Sequence, residues 1–207
     1  MDYRYIAVEG NIGSGKTTLA HQIANTFNAR MILEQFADNP FLPKFYADKE
    51  RYAFPLELSF LADRYNQLKD TLLPMDLFQE HIVADYTFIK SQLFAQYNLT
   101  ADEYALFERM AGIMKTQIPK PDVLIYLHTP IPLLQQRIKK RGRSYEQDMN
   151  PTYLEAIEQC YLQYLEQESG AIIMVDGSKI DFNIPEHYER LIQLLNSAET
   201  FSRVTLS

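Results

Sequence analysis

Gly10-Asn11-Ile12-Gly13-Ser14-Gly15-Lys16-Thr17 is the stretch whose reading decides the fold. It matches G-x-x-x-x-G-K-[ST] and stands between a short apolar run, Tyr5–Glu9, and a helical pattern over Thr17–Phe27. Strand, glycine-rich turn and helix in that order make the pattern a phosphate-binding loop. Its glycines let successive backbone N–H groups converge on an anion, and the helix N-terminus adds partial positive charge. The loop therefore predicts a nucleoside triphosphate site, with Lys16 neutralising the β- and γ-phosphates and the Thr17 hydroxyl on Mg²⁺.

Outward from the loop, further β-branched or apolar runs occur at Met31–Glu34, His81–Asp85, Val123–Leu127 and Ala171–Val175, separated by helical patterns. That alternation predicts an α/β fold: a five-stranded parallel sheet covered by helices on both faces. Helix starts are legible at Thr100 with Glu103, a capping box, and at Asn150–Pro151, with Thr129–Pro130 repeating that logic after the fourth strand. Arg51–Lys69 carries Phe54, Leu58, Leu61 and Tyr65 on one helix face, while Glu57 and Arg64, seven apart, share another and could enter one pocket. No repeat or Gly/Ser linker interrupts residues 1–207, so one domain is expected.

Composition narrows the partners. Lys and Arg number 20 against 27 Asp and Glu, a net charge of −7, which disfavours a nucleic acid polymer spread over the surface. No apolar run is long enough to cross a bilayer, and no signal peptide pattern opens the chain, so a cytoplasmic protein without membrane association is expected. The single cysteine, Cys160, falls in the helical pattern Tyr153–Glu166 and reads as a packing thiol. His21, His81, His128 and His187 show no metal-ligand spacing, so no structural zinc is expected.

Arg137, Lys139, Lys140, Arg141 and Arg143 put five of the 20 cations within seven residues of an acidic chain. Arg137 and Arg141 share a helix face, and Gly142 permits a break before Arg143, which describes a mobile, arginine-rich lid over about 137–149. Arginines that close over a γ-phosphoryl group stabilise its transition state, so Arg137, Arg141 and Arg143 join Lys16 as catalytic candidates. Glu34 would emerge at the carboxyl edge of the sheet, where ligands of open α/β sheets bind, and could accept a proton from an attacking hydroxyl. A helix cap is the other reading of Glu34. Asp85, at the same edge, could hold Mg²⁺ or cap the next helix.

With Glu9-Gly10-Asn11-Ile12-Gly13-Ser14-Gly15-Lys16-Thr17-Thr18, the lid Arg137-Ile138-Lys139-Lys140-Arg141-Gly142-Arg143-Ser144-Tyr145-Glu146 and Tyr153-Leu154 in view, the chain resembles the deoxyribonucleoside kinases, P-loop kinases related to thymidylate kinase. The resemblance runs from Tyr5 to about Phe182. It implies ATP and Mg²⁺ as cofactors, with Gly10 to Thr18, Arg141, Asp181 and Phe182 around ATP. It implies Glu34 as general base for a sugar 5′-hydroxyl, Tyr46 and Glu146 on the 3′-hydroxyl, and Glu57 and Arg64 on the base. It also implies a homodimer pairing the helices of Phe54–Lys69 and Thr100–Lys115.

Two departures from the family pattern matter. Where the family has an acidic residue followed by arginine and serine, this chain has Asp85-Tyr86-Thr87; Lys90, four residues past Tyr86, is the candidate replacement for the lost cation. Where the family has glutamine, this chain has Glu57, an acceptor-only group that suits donor-rich base edges. Thymine offers only N3–H, so a purine deoxynucleoside is expected, adenine and guanine remaining open. A surface or dimer ion pair is the other reading of Glu57 and Arg64. Phe88 and Phe54 are candidates for stacking on the base. A nucleoside monophosphate kinase and a slow ATPase switch are the rival functions.

Overall fold

In the computed structural model, which describes residues 3–35, 39–73, 81–197 and 202–207, strand β1 (Tyr5–Gly10) is buried along its whole length. Its side chains alternate between two cores, as a strand covered on both faces requires: Tyr5 and Ala7 join one, Ile6 and Val8 the other. Around it lie β2 (Arg30–Ile32), β3 (Ile82–Ala84), β4 (Val123–His128), β5 (Ala171–Asp176) and β6 (Arg203–Leu206). All neighbours pair in parallel, in the order β2-β3-β1-β4-β5-β6.

The sheet thus has six strands where the sequence predicts five. Arg203 and Thr205 of β6 are exposed and only Leu206 is buried, so no apolar run marks this strand. Pairing with β5, Ile172 opposite Arg203 through Val175 opposite Leu206, defines it instead.

One face is covered by α1 (Lys16–Phe27) and α8 (Pro185–Asn196), whose Leu19, Ile23, Leu191 and Leu195 meet Val8, Ile125 and Ile173. The other is covered by α3 (Lys49–Leu72), α4 (Ile89–Asn98), α5 (Ala101–Lys115) and α7 (Pro151–Gln167), which bury Leu61, Leu93, Phe107 and Ile157 against Ala7, Ala84 and Tyr126. Short α2 (Leu42–Ala47) packs on α3 through Phe45, Leu56 and Phe60, and α6 (Ile131–Arg141) carries the basic segment.

Side-chain caps mark the starts of α3, α5 and α7. Glu103 reaches back to the Thr100 N–H at 3.0 Å, and Asn150 Oδ1 accepts from the Thr152 N–H at 2.9 Å. Pro130 is the N-cap of α6 rather than its first residue, because its carbonyl accepts from Leu133 and Leu134 to close the first turn. Gly142 ends α6 in the left-handed region, φ +76°, where a side chain would be strained. Cys160 is a buried, free thiol on α7, and burial pushes its pKa up.

Candidate active site

β2 and β3 end earlier than their sequence patterns suggest, at Ile32 and Ala84, so Glu34 and Asp85 stand in the loops just beyond the strands. There they meet the phosphate loop. Gly13 and Gly15 hold positive φ, +84° and +98°, and α1 starts at Lys16. A Cβ on Gly13 would lie 3.0 Å from Ile138 and 3.1 Å from the Leu134 carbonyl, so a glycine here lets α6 sit directly on the loop. Arg137 of α6 donates to the Ser14 carbonyl at 2.9 Å. Lys16 Nζ donates to the Asn11 carbonyl at 2.9 Å, and burial together with nearby Lys90 brings its pKa down to about 8.

Not every loop residue faces ligand space. The Asn11 side chain turns away, donating to the Leu154 carbonyl at 2.7 Å and to Glu158 Oε2 at 3.3 Å on α7. Neither Asn11 nor Gly10 is among the described residues that line the two cavities at this centre, and a Cβ on Gly10 would come 2.8 Å from the Leu127 carbonyl. Both are expected by sequence to contact ATP; the structure shows the Asn11 side chain held by α7 and Gly10 packed against Leu127. Glu9, which sequence reading passed over as strand, is a buried anchor: it accepts from the Thr87 N–H at 2.7 Å, the Thr87 hydroxyl at 2.8 Å and the Tyr161 hydroxyl at 2.8 Å.

At the centre, Asp85 Oδ2 accepts the Thr17 hydroxyl at 2.5 Å and Oδ1 accepts the Glu34 N–H at 2.8 Å. Glu34 in turn accepts on both oxygens. Arg64 donates to Oε1 through Nε at 2.9 Å and Nη2 at 2.6 Å, and the Lys90 ammonium pairs with Oε2. Burial alone would raise the Glu34 pKa, but Lys90 and Arg64 together hold it well below the usual carboxylate range. Arg64, expected on the base edge, is thereby engaged with Glu34 and, through Nη1 at 2.9 Å, with Ser91. It is buried and makes no ion pair with Glu57, which removes the surface-pair reading.

Lys90 reaches Glu34 by a route that helical spacing from Tyr86 did not supply. Helix α4 begins only at Ile89, so Tyr86 lies outside it. Tyr86 is fully buried and donates to Gln67 Oε1 at 2.6 Å, while Gln67 Nε2 donates to the Leu33 carbonyl at 2.9 Å, bracing the chain beside Glu34.

Two cavities open from this centre. The larger, about 620 Å³, is lined by Gly13 to Leu19, Arg137, Arg141, Arg143, Val175, Gly177 and Ile180 to Asn183. Asp181, Phe182 and Thr18 lie here, as expected for a nucleotide donor. The smaller, about 110 Å³, is lined by Ile12, Phe45, Tyr46, Glu57, Phe60, Arg64, Lys90, Phe94, Asn98, Glu146 and Tyr153, among others. Ile12 of the loop therefore faces this second cavity. Phe88 and Phe54 do not: Phe88 is in the core, edge-on to Tyr65, and Phe54 packs beside it. The rings that line the cavity, Phe45, Tyr46, Phe60, Phe94 and Tyr153, come from four helices and share no common spacing that sequence could show.

Tyr46 stacks on Tyr145 with centroids 5.6 Å apart, and Glu146 is buried beneath the lid, paired with Arg141 and, at 3.3 Å, with Arg143. Glu57 is buried, its Oε1 accepting from Asn98 Nδ2 at 2.6 Å. Gly13, Lys16, Thr17, Glu34, Asp85, Arg141 and Arg143 line both cavities, so a donor in one and an acceptor in the other would meet at these seven residues. Thr17 and Asp85 offer adjoining hard oxygens, a set that suits Mg²⁺ held mainly by phosphate and water.

Comparison with known proteins agrees with this geometry. The deoxynucleoside kinase family model matches residues 6–198. A deoxyguanosine kinase of Bacillus subtilis is 36% identical over 183 residues, covering 86% of this chain and 88% of that protein. A deoxyadenosine kinase of Lactobacillus acidophilus is 30% identical over 192 residues, covering 86% and 87%. The structure of deoxyadenosine kinase from M. mycoides with bound dATP superimposes with a TM-score of 0.81 at 25% identity, over 94% of this chain and 100% of that one.

Proposed function

The chain belongs to the deoxynucleoside kinase family, and from that premise we propose that it transfers the γ-phosphate of ATP to the 5′-hydroxyl of a purine deoxyribonucleoside. The observation that carries this reading is the junction: a large cavity floored by the phosphate loop and a small aromatic one share Glu34, Lys16, Arg141 and Arg143.

ATP occupies the larger cavity with its phosphates on the loop N–H groups and Lys16. The deoxynucleoside occupies the smaller, its 5′-oxygen toward Glu34 and its sugar near Tyr46 and Glu146. Glu34 stays ionised, and a carboxylate has about four lone-pair sites, so the hydroxyl can donate to it while Lys90 and Arg64 remain paired. The hydroxyl attacks the γ-phosphorus, its proton passes to Glu34, and ADP leaves. Arg137, Arg141 and Arg143 face the charge that spreads over the transferring oxygens. Thr17 and Asp85 would hold Mg²⁺, which when bound neutralises charge on the β- and γ-phosphates.

A purine is supported by Glu57, whose acceptor oxygens suit donor-rich edges, and by the deoxyguanosine and deoxyadenosine kinases to which the chain is similar. Lys90 and Arg64 are engaged with Glu34 rather than facing an acceptor phosphate, which favours a nucleoside over a monophosphate. The reading takes residues 1–207 as one kinase domain with a mobile lid near 137–149, acting in the cytoplasm, where ATP is supplied. It also takes the molecule as a homodimer.

The test follows ADP release with ATP–Mg²⁺ alone, with each deoxynucleoside and with thymidylate, for wild type and Glu34→Gln. Turnover is expected only with a deoxynucleoside, highest with a purine, and reduced by about 10²–10⁴-fold in the variant. Equal rates in Glu34→Gln remove Glu34 from the base role, and a preference for thymidine removes the purine.

A further inference from the structure

The two oxygens of Glu57 are differently placed. Oε1 accepts the Asn98 amide at 2.6 Å, whereas Oε2 is buried with no hydrogen-bond partner among the described residues. The side chain lines the acceptor cavity and is 2% exposed. A carboxyl group so held presents two faces that differ by one proton. Ionised, it only accepts; protonated on the unpartnered oxygen, it is an O–H donor beside an acceptor. Purines divide along the same line. Guanine presents N1–H beside N2–H₂, two donors, and adenine presents N6–H₂ beside a ring nitrogen that only accepts.

We propose that the proton on Glu57 selects the purine: the carboxylate takes deoxyguanosine and the carboxylic acid takes deoxyadenosine. This rests on the reading of Glu57 as the residue that meets the base.

Burial brings the Glu57 pKa up to about 7, so both forms are populated near neutrality. The Asn98 hydrogen bond, Arg64 on the same helix and Lys90 from α4 favour the carboxylate, and Glu34 from the β2 loop opposes it. Tyr153 from α7 and Tyr46 from α2 are both pushed above the ordinary phenol range and stay neutral. The lid charges on this cavity, Arg141, Arg143 and Glu146, are paired with one another. No histidine is among the described residues that line either cavity.

As pH rises through about 7, Glu57 loses its proton and deoxyguanosine gains on deoxyadenosine. If each purine is bound by one form alone, the ratio of the two specificity constants changes about tenfold per pH unit, because it follows the ratio of acid to carboxylate. Titrations elsewhere in the enzyme cancel in that ratio.

The experiment supplies both purine deoxynucleosides together with ATP–Mg²⁺ and measures the dAMP to dGMP ratio from about pH 6 to about pH 8. The expected result is a fall of at least about tenfold in wild type and a flat ratio in Glu57→Gln. A flat ratio in wild type, with both products formed, overturns the proton selection while leaving the purine kinase reading in place. A slope that persists in Glu57→Gln overturns it as well. Failure to phosphorylate either purine at any pH overturns both readings. If Glu57→Gln does not fold, Asn98→Ala serves instead: losing a donor that favours the carboxylate moves the curve to higher pH, and an unmoved curve refutes the proposal.

Discussion

Lys90 occupies a chemically demanding position. The residue is 6% exposed, it pairs with Glu34, and it lowers the pKa of Lys16 by proximity. A buried cation is retained at such a cost only where a buried anion faces it, and removal of one partner leaves the other poorly compensated. Lys90→Met should therefore keep an apolar side chain of similar length in place while removing the ammonium that lies 5.6 Å from the Phe94 ring centroid and releasing Glu34 Oε2, leaving Arg64 alone to fix the carboxylate. The expected loss in kcat is about 10²-fold, the scale of removing one preorganised charge partner, with KM for ATP near wild type. Steady-state kinetics with the best purine nucleoside checks it, and a kcat within about threefold of wild type would mean that Arg64 suffices. Tyr86 contributes bracing through Gln67 rather than charge.

At the scale of elements, the phosphate loop is held from two sides. α6 packs on Gly13 and donates through Arg137, and α7 receives the Asn11 side chain at Leu154 and Glu158. Asn11→Ala leaves a buried carbonyl and carboxylate without that donor, a loss of about 1–3 kcal/mol. For a chain of this size each kcal/mol lowers Tm by about 2–4 °C. Calorimetry should show that drop, and kinetics should show KM rising for ATP more than for the nucleoside, since α7 steadies the loop. A variant as stable as wild type would place the anchoring elsewhere. These tethers also mark where sequence stops being legible. The loop, the strands β1, β4 and β5 and the caps at Thr100 and Asn150 are local patterns, readable because the residues that cause them are neighbours in the chain. Helix α4 has no capping side chain, and the polar Lys90 and Ser91 sit on its buried side, which blurs its apolar periodicity. β6 has no apolar run at all. Glu34 and Asp85 were readable as sheet-edge carboxylates, but the engagement of Arg64 with Glu34 depends on the distance between α3 and the β2 loop, which spacing along one helix cannot report.

At the scale of the whole molecule, charge and apolar surface are both unevenly spread. The chain carries −7 overall, yet Lys16, Arg64, Lys90, Arg137, Arg141 and Arg143, six of its 20 cations, line the two cavities, set among the carboxylates of Glu34, Glu57, Asp85, Glu146 and Asp181. Apolar exposure is concentrated as well. Leu106 and Ile113, seven residues apart on one face of α5, are 46% and 70% exposed, with Met110 half-buried between them. Phe54, Leu58 and Tyr65 on α3 are likewise only partly covered, and α3 packs beside α5. An exposed apolar stripe across two adjacent helices is the kind of surface a second copy covers, and a two-fold axis through it would bring every residue into the contact twice. One charge placed there therefore counts double. Ile113→Asp should weaken self-association by at least about 100-fold in Kd, or about 2.7 kcal/mol. Light scattering behind gel filtration would then show wild type near twice the 24.2 kDa chain mass and the variant near one chain mass. Ile113 is too exposed for the substitution to disturb the core, so folding should be unchanged by circular dichroism. A wild type that runs as a monomer at working concentration, or an Ile113→Asp variant that still runs as a dimer, would show that α5 does not carry the interface.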